Sequence, residues 1–273
     1  MSRLERGFAM LDNLIYCNTS HRYMKHRTRQ VNTDFWPTVR MIELATIVTT
    51  GLTIWRAYGL WATVRYLVGL ALALKAQHAF LAAIIRKVGP KQPSLADMMT
   101  LSRGASCAVL VGLVASGVRD REGPAGWLSW SLILLEATVI DWLDGPLARR
   151  LGPSPLGAVM DIEADSWLTL WSAISATTWG DLPRWCLLPP LTRYLDPILD
   201  LSRSRLPRGG GPWWSRVTGT GQMMLFLAAL APLKGRWRKR VMRVVNVAAL
   251  PVSAGQGAAI LVLLLRKVGE HQG

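Results

Sequence analysis

The chain has 273 residues, 51% of them hydrophobic, with 13 Trp and a formal net charge of +15. A mean hydropathy of +0.23 argues against an ordinary soluble domain and for a polytopic membrane protein. Apolar runs interrupt the basic residues, so the charge points to an anionic lipid surface as partner and away from nucleic acid.

Residues 1–40 are polar and basic (Arg22, Lys25, Arg27, Arg29, Arg40), lack the apolar core of a cleavable signal peptide, and read as a cytoplasmic extension. Residues 41–90 contain two apolar segments, Met41–Trp55 and Leu60–Ile85, expected to add one or two membrane helices as a hairpin. His78, beside Gln77 in the second segment, reads as a hydrogen-bonded core residue. Gly89-Pro-Lys-Gln-Pro93 breaks the chain, and residues 91–273 form the main domain. Ser94 is a plausible N-cap for a helix running into Gly104–Ser116, and Glu122-Gly-Pro-Ala-Gly126 turns the chain.

A helix over Leu128–Asp144 then stops at Gly145-Pro146. The connector Arg149–Leu156 is stiffened by Gly152, Pro153 and Pro155, and Gly157 restarts a helix through Ser166–Gly180. Leu182–Leu201 reads as a helix distorted at Pro189-Pro190 and Pro197. A basic, Gly-rich loop leads to two last helices through Val217–Leu233 and Val244–Leu265. Only the final run has the roughly 20 residues of a full span; the others reach it by including flanking polar residues, as helices lining a polar cavity do. The fold expected is an all-α integral membrane bundle.

The positive-inside rule places the N-terminal stretch, residues 86–103, 203–216 and the 144–157 loop in the cytoplasm. Lys234-Gly-Arg-Trp-Arg-Lys-Arg240 falls on the other side and breaks the bias. The Trp residues, Trp213 and Trp214 among them, read as interface anchors. Cys17, Cys107 and Cys186 lack metal or redox spacing and read as buried thiols.

Chemistry is concentrated in four carboxylates at the ends of two apolar segments. Asp141 and Asp144 (i, i+3) share one helix face, and Asp161 and Asp165 (i, i+4) share another. That much negative charge at a membrane boundary is costly unless compensated. Bound divalent cations are the economical answer, and hard oxygen donors without Cys or His suit Mg²⁺ or Mn²⁺. The bland alternative balances the quartet with Arg149, Arg150 and Arg103; a rival from another class is a cation transporter or sensor. Arg103 and Arg216 sit at helix entrances, where headgroup contact is the default. Glu136 reads as a helix-interior polar contact. Glu163, off the Asp161/Asp165 face, reads as solvent-facing.

Taken whole, Asp141-x2-Asp144-Gly145-x2-Ala148-Arg149-x7-Gly157-x3-Asp161-x3-Asp165 resembles the signature of the CDP-alcohol phosphatidyltransferases. Seven residues separate Arg149 from Gly157, where the family's pattern has eight; the shorter stretch is a Pro/Gly loop. Weaker echoes run from about Pro93 to Leu265.

The resemblance implies a six-helix bundle behind the extra N-terminal helices. It implies a two-ion Mg²⁺ or Mn²⁺ site on Asp141, Asp144 and Asp161, with Asp165 at the metal edge as general base. It implies nucleotide contacts from Gly145, Ala148, Arg149 and Gly157. The reaction implied is phosphatidyl transfer from CDP-diacylglycerol to a small polar alcohol in phospholipid biosynthesis, releasing CMP. Arg193 and Arg216 could form an anion pocket for a phosphorylated acceptor such as glycerol 3-phosphate, with inositol phosphate, serine and phosphatidylglycerol as alternatives. The expected setting is a multi-pass protein of a bacterial inner membrane, with its site facing the cytoplasm and a homodimer through the helical body.

Overall fold

The computed structural model describes residues 35–88, 95–140, 155–194 and 214–269. These are helical throughout apart from short turns. The helices are α1 (Phe35–Val88), α2 (Leu95–Ala115), α3 (Pro124–Leu134), α4 (Pro155–Trp179), α5 (188–194), α6 (Trp214–Leu230) and α7 (Gly235–Gly269). A π-helical stretch, Leu135–Ile140, prolongs α3, and a 3-10 turn, Arg184–Leu187, leads into α5. Among the described residues, Val39–Ala83 and Gly235–Leu265 are long and apolar enough to cross a membrane.

α1 is two helices folded on each other. Gly59 has φ 80° and ψ −177°, a backbone state open essentially to glycine, and it breaks the run where the two apolar segments meet. Across the break Thr50 hydrogen-bonds the Tyr66 hydroxyl, and Glu43 lies 2.6 Å from His78 Nε2. Both pairs are roughly symmetric about Gly59, so the halves run antiparallel. His78 is hydrogen-bonded as expected, although its side chain keeps 35% of its exposure.

The second half of α1 packs against α2 through glycines. A Cβ on Gly69 would lie 2.5 Å from Ala115 Cβ, and one on Gly112 would lie 2.7 Å from the Tyr66 ring and 2.9 Å from its carbonyl oxygen. Small residues here let the two backbones approach closely. Ile54, Tyr66, Leu70, Cys107, Leu110, Leu113, Ile133 and Phe226 are at most 2% exposed and form the continuous core. Cys107 and Cys186 are buried free thiols, while Cys17 lies outside the described residues.

Pro189 and Pro190 do not distort a helix interior. They occupy the first turn of α5, where a missing N–H costs nothing. Pro124 likewise opens α3, after Asp120 Oδ1 accepts a 2.8 Å bond from the Gly123 amide.

One end of the bundle is tied together by polar side chains. Tyr58 donates to Asp120 at 3.0 Å, Arg121 to Asp181 at 3.2 Å, and Lys234 lies 3.2 Å from Glu122. Arg238, 8% exposed, donates to the carbonyls of Ala229 and Gly180 and to Asp181. Two residues of the basic segment that breaks the loop-charge bias, Lys234 and Arg238, are thus paired with carboxylates. Trp55, Trp61, Trp127, Trp185 and Trp237 are exposed and lie within about a turn of these links, the arrangement of an interfacial aromatic belt. Trp213 lies outside the described residues.

Replacing Gly112 with Ala should push α2 off Tyr66 and cost about 1–3 kcal/mol, as overpacked sites do. Thermal unfolding in detergent, with Ala108→Gly as a control, measures it.

Candidate active site

The functional side chains that are described come from the opposite end of the bundle, the end at which α2 and α4 begin. Asp161 and Asp165 stand one turn apart on α4, and both point at one cation. Arg103 Nη1 donates to Asp161 Oδ1 at 3.0 Å and to Asp165 Oδ1 at 2.6 Å. The same guanidinium lies 3.8 Å from Glu136 Oε2, and Glu136 accepts a 2.6 Å bond from Ser106. Arg103 is 1% exposed and Glu136 2% exposed, whereas the Asp161 and Asp165 side chains keep 52% and 39%. The cluster is thus dry on the Glu136 side and open on the aspartate side.

Local sequence explains the arrangement. Arg103 and Ser106 are three residues apart on α2 and share a face. Glu136 lies in the π-helical stretch immediately before residue 141; such irregular turns recur at functional sites. Arg103 does not reach a headgroup, as its place at a helix entrance suggested. Inside, it has three described carboxylates within 4.0 Å to offset the cost of its dehydration.

Glu163 also differs from expectation. It does lie off the Asp161/Asp165 face, but that face meets α1 and α2 instead of solvent, and only 9% of the residue is exposed. Sequence inspection missed both burials because neither Arg103 nor Glu163 belongs to an apolar pattern. For Arg103 the available signals were its positive charge opposite the acidic quartet, where the structure does place it, and its (i, i+3) companion Ser106.

Asp141, Asp144, Gly145, Ala148 and Arg149 lie outside the described residues. Gly157 lies in the first turn of α4. Arg193 and Arg216 come from α5 and α6. A Cβ on Gly219 would lie 3.8 Å from Arg193 Nη1 and 3.9 Å from the Gln256 amide, and Gly219 is one turn beyond Arg216. Arg193 therefore sits at the entrance to α6, where Arg216 is exposed.

Among the described residues no three His, Cys, Asp or Glu side chains form a metal-binding group, half of the acidic quartet lying in the segment just named. The two described aspartates fit a hard cation by chemistry. One oxygen of each lies against the Arg103 guanidinium, and the two side chains stay 52% and 39% exposed.

A sequence model of the CDP-alcohol phosphatidyltransferase family matches residues 93–255, more than half the chain. No curated protein and no solved structure matches.

Removing the Arg103 charge should leave three carboxylates facing one another. Arg103→Met is expected to cost about 3–5 kcal/mol, towards the lower bound because two of the partners reach solvent. Chemical denaturation monitored by near-ultraviolet circular dichroism tests this, with Arg119→Met as a surface control.

Proposed function

The chain belongs to the CDP-alcohol phosphatidyltransferase family, and from that premise we propose that it moves a phosphatidyl group from CDP-diacylglycerol to the hydroxyl of a small polar alcohol. The observation that carries the reading is a complete acidic signature whose described half, Asp161 and Asp165, converges on a single positive charge.

Asp141, Asp144 and Asp161 would hold two Mg²⁺ or Mn²⁺ ions, with Asp165 at their edge. When bound, the ions neutralise the pyrophosphate and stabilise the leaving phosphate. Asp165 takes the proton of the acceptor hydroxyl. The alcohol oxygen then forms its bond to the phosphatidyl phosphorus as the bond to the CMP oxygen breaks. Arg103, donating to both Asp165 and Asp161 with Glu136 3.8 Å behind it, would hold the Asp165 carboxylate in position towards the acceptor. Gly145 and Gly157 admit the cytidine close to backbone, Ala148 packs on it, and Arg149 pairs with its phosphate.

Arg193 and Arg216, brought to the same helix entrance, suit a phosphorylated acceptor, glycerol 3-phosphate first, over serine or phosphatidylglycerol. Inositol phosphate carries the same anionic group. The apolar helices and the tryptophan belt support a multi-pass protein, and the basic loops support a cytoplasm-facing site. The six-helix body over residues 91–273, the hairpin over 41–90 and the homodimer belong to the same reading.

CMP release from CDP-diacylglycerol, assayed with each acceptor, tests the proposal. Turnover should be highest with glycerol 3-phosphate; equal rates with unphosphorylated alcohols would remove the anion pocket. Asp165→Asn should lower CMP release by about 10²–10⁴-fold, the usual contribution of a positioned base. Thermal stabilisation by Mn²⁺ should survive that substitution, and unchanged release would refute the base assignment.

A further inference from the structure

The second half of α1 and α2 run antiparallel, and their close approaches keep one register. Gly69 meets Gly112 and Ala115, and Gln77 meets Gly104, eight residues further along α1 and eight back along α2. Each step of that length is about 12 Å of helix. Ala73 and Ala108, both buried, lie midway on the same faces. The two sides of the seam are thus Gly69-x3-Ala73-x3-Gln77 and Gly104-x3-Ala108-x3-Gly112. All but one of these positions carry glycine or alanine, which lets backbone approach backbone. Gln77 is the exception. Its amide stands where a side chain on residue 104 would stand. A Cβ there would lie 1.7 Å from the Gln77 amide nitrogen, 2.4 Å from its carbon and 2.8 Å from its oxygen.

Gly104 directly follows Arg103, whose Nη1 donates to Asp165 at 2.6 Å and to Asp161 at 3.0 Å. A slide of α2 by about 1 Å along its axis can stretch the longer bond out of hydrogen-bonding range. Misplacement of that size can cost on the order of 10²-fold in rate. A knob rising into a gap in the facing helix resists such sliding, where smooth glycine and alanine surfaces resist it less.

Given the transfer reaction proposed for this chain, we propose that Gln77 is a positioning residue for it. By seating its amide on Gly104, it fixes the height and rotation of α2 at which Arg103 holds Asp161 and Asp165. The N-terminal hairpin thereby takes part in activity, although Gln77 precedes residue 93, where the family match begins.

The test uses the full chain in maltoside micelles, with CMP release measured from CDP-diacylglycerol and the acceptor that turns over fastest. Gln77→Ala should lower kcat by about tenfold or more, with KM for CDP-diacylglycerol within about twofold of the unmodified chain. Adding Gly104→Ala to that variant returns a methyl to the space the amide left and should restore kcat to within about threefold. Gly69→Ala, at the other end of the seam, should lower the unfolding midpoint yet leave kcat within about twofold. If Gln77→Ala does not fold, Gln77→Asn, one methylene shorter, takes its place. Unchanged kcat in the Gln77 variant, no rescue by Gly104→Ala, or an equal loss of kcat in Gly69→Ala would overturn the proposal. A second readout needs no turnover. Arg103, 1% exposed, should react slowly with phenylglyoxal, and Gln77→Ala should speed its modification, mapped by mass spectrometry, by about tenfold. If the unmodified chain releases no CMP, the transfer reading fails while faster modification still assigns the placing of Arg103 to Gln77. Equal modification of the two chains overturns that placing.

Discussion

The guanidinium of Arg103 is the charge around which the active end is built. Among the described residues, Glu136, Asp161 and Asp165 lie around this 1%-exposed cation, and it in turn offsets their mutual repulsion. Each member therefore constrains the others. α2 must present Arg103 inward, the irregular end of α3 must bring Glu136 across, and α4 must start with its acidic face towards both. The aspartate side stays open, with the Asp161 and Asp165 side chains 52% and 39% exposed.

Charge compensation and metal binding are often set against each other as explanations of an acidic cluster. Under the proposed function they are complementary. Arg103 accounts for Asp161 and Asp165 as folded residues, whereas the family signature accounts for why the pair is accompanied by Asp141, Asp144 and the small residues Gly145 and Ala148. A guanidinium alone would not require glycine and alanine at those offsets.

The far end of the bundle solves an opposite problem, an excess of positive charge in Lys234–Arg240. Asp181 holds a left-handed backbone, φ 64°, a conformation that aspartate tolerates better than most residues, and from there it accepts from both Arg121 and Arg238. Arg238 also caps the carbonyls of Gly180 and Ala229, so it closes two helix ends at once. Statistical rules about loop charge count residues; the structure shows that Lys234 and Arg238 of this segment have carboxylate partners.

Helix content, the break between Met41–Trp55 and Leu60–Ile85, and the acidic signature were legible from residue order, because apolar run length, a glycine between runs and fixed offsets are local properties. The aspartates of α4 were likewise legible as a pair, since i, i+4 spacing fixes a shared face whatever surrounds it. What lies opposite a face is not local. Whether Glu163 meets water or the α1–α2 pair, whether Arg103 reaches a headgroup or three carboxylates, and whether Gln77 finds room over Gly104 all depend on contacts between segments tens of residues apart. Those contacts are set by packing, where a missing Cβ at Gly104 or Gly112 admits a neighbour that no periodicity announces.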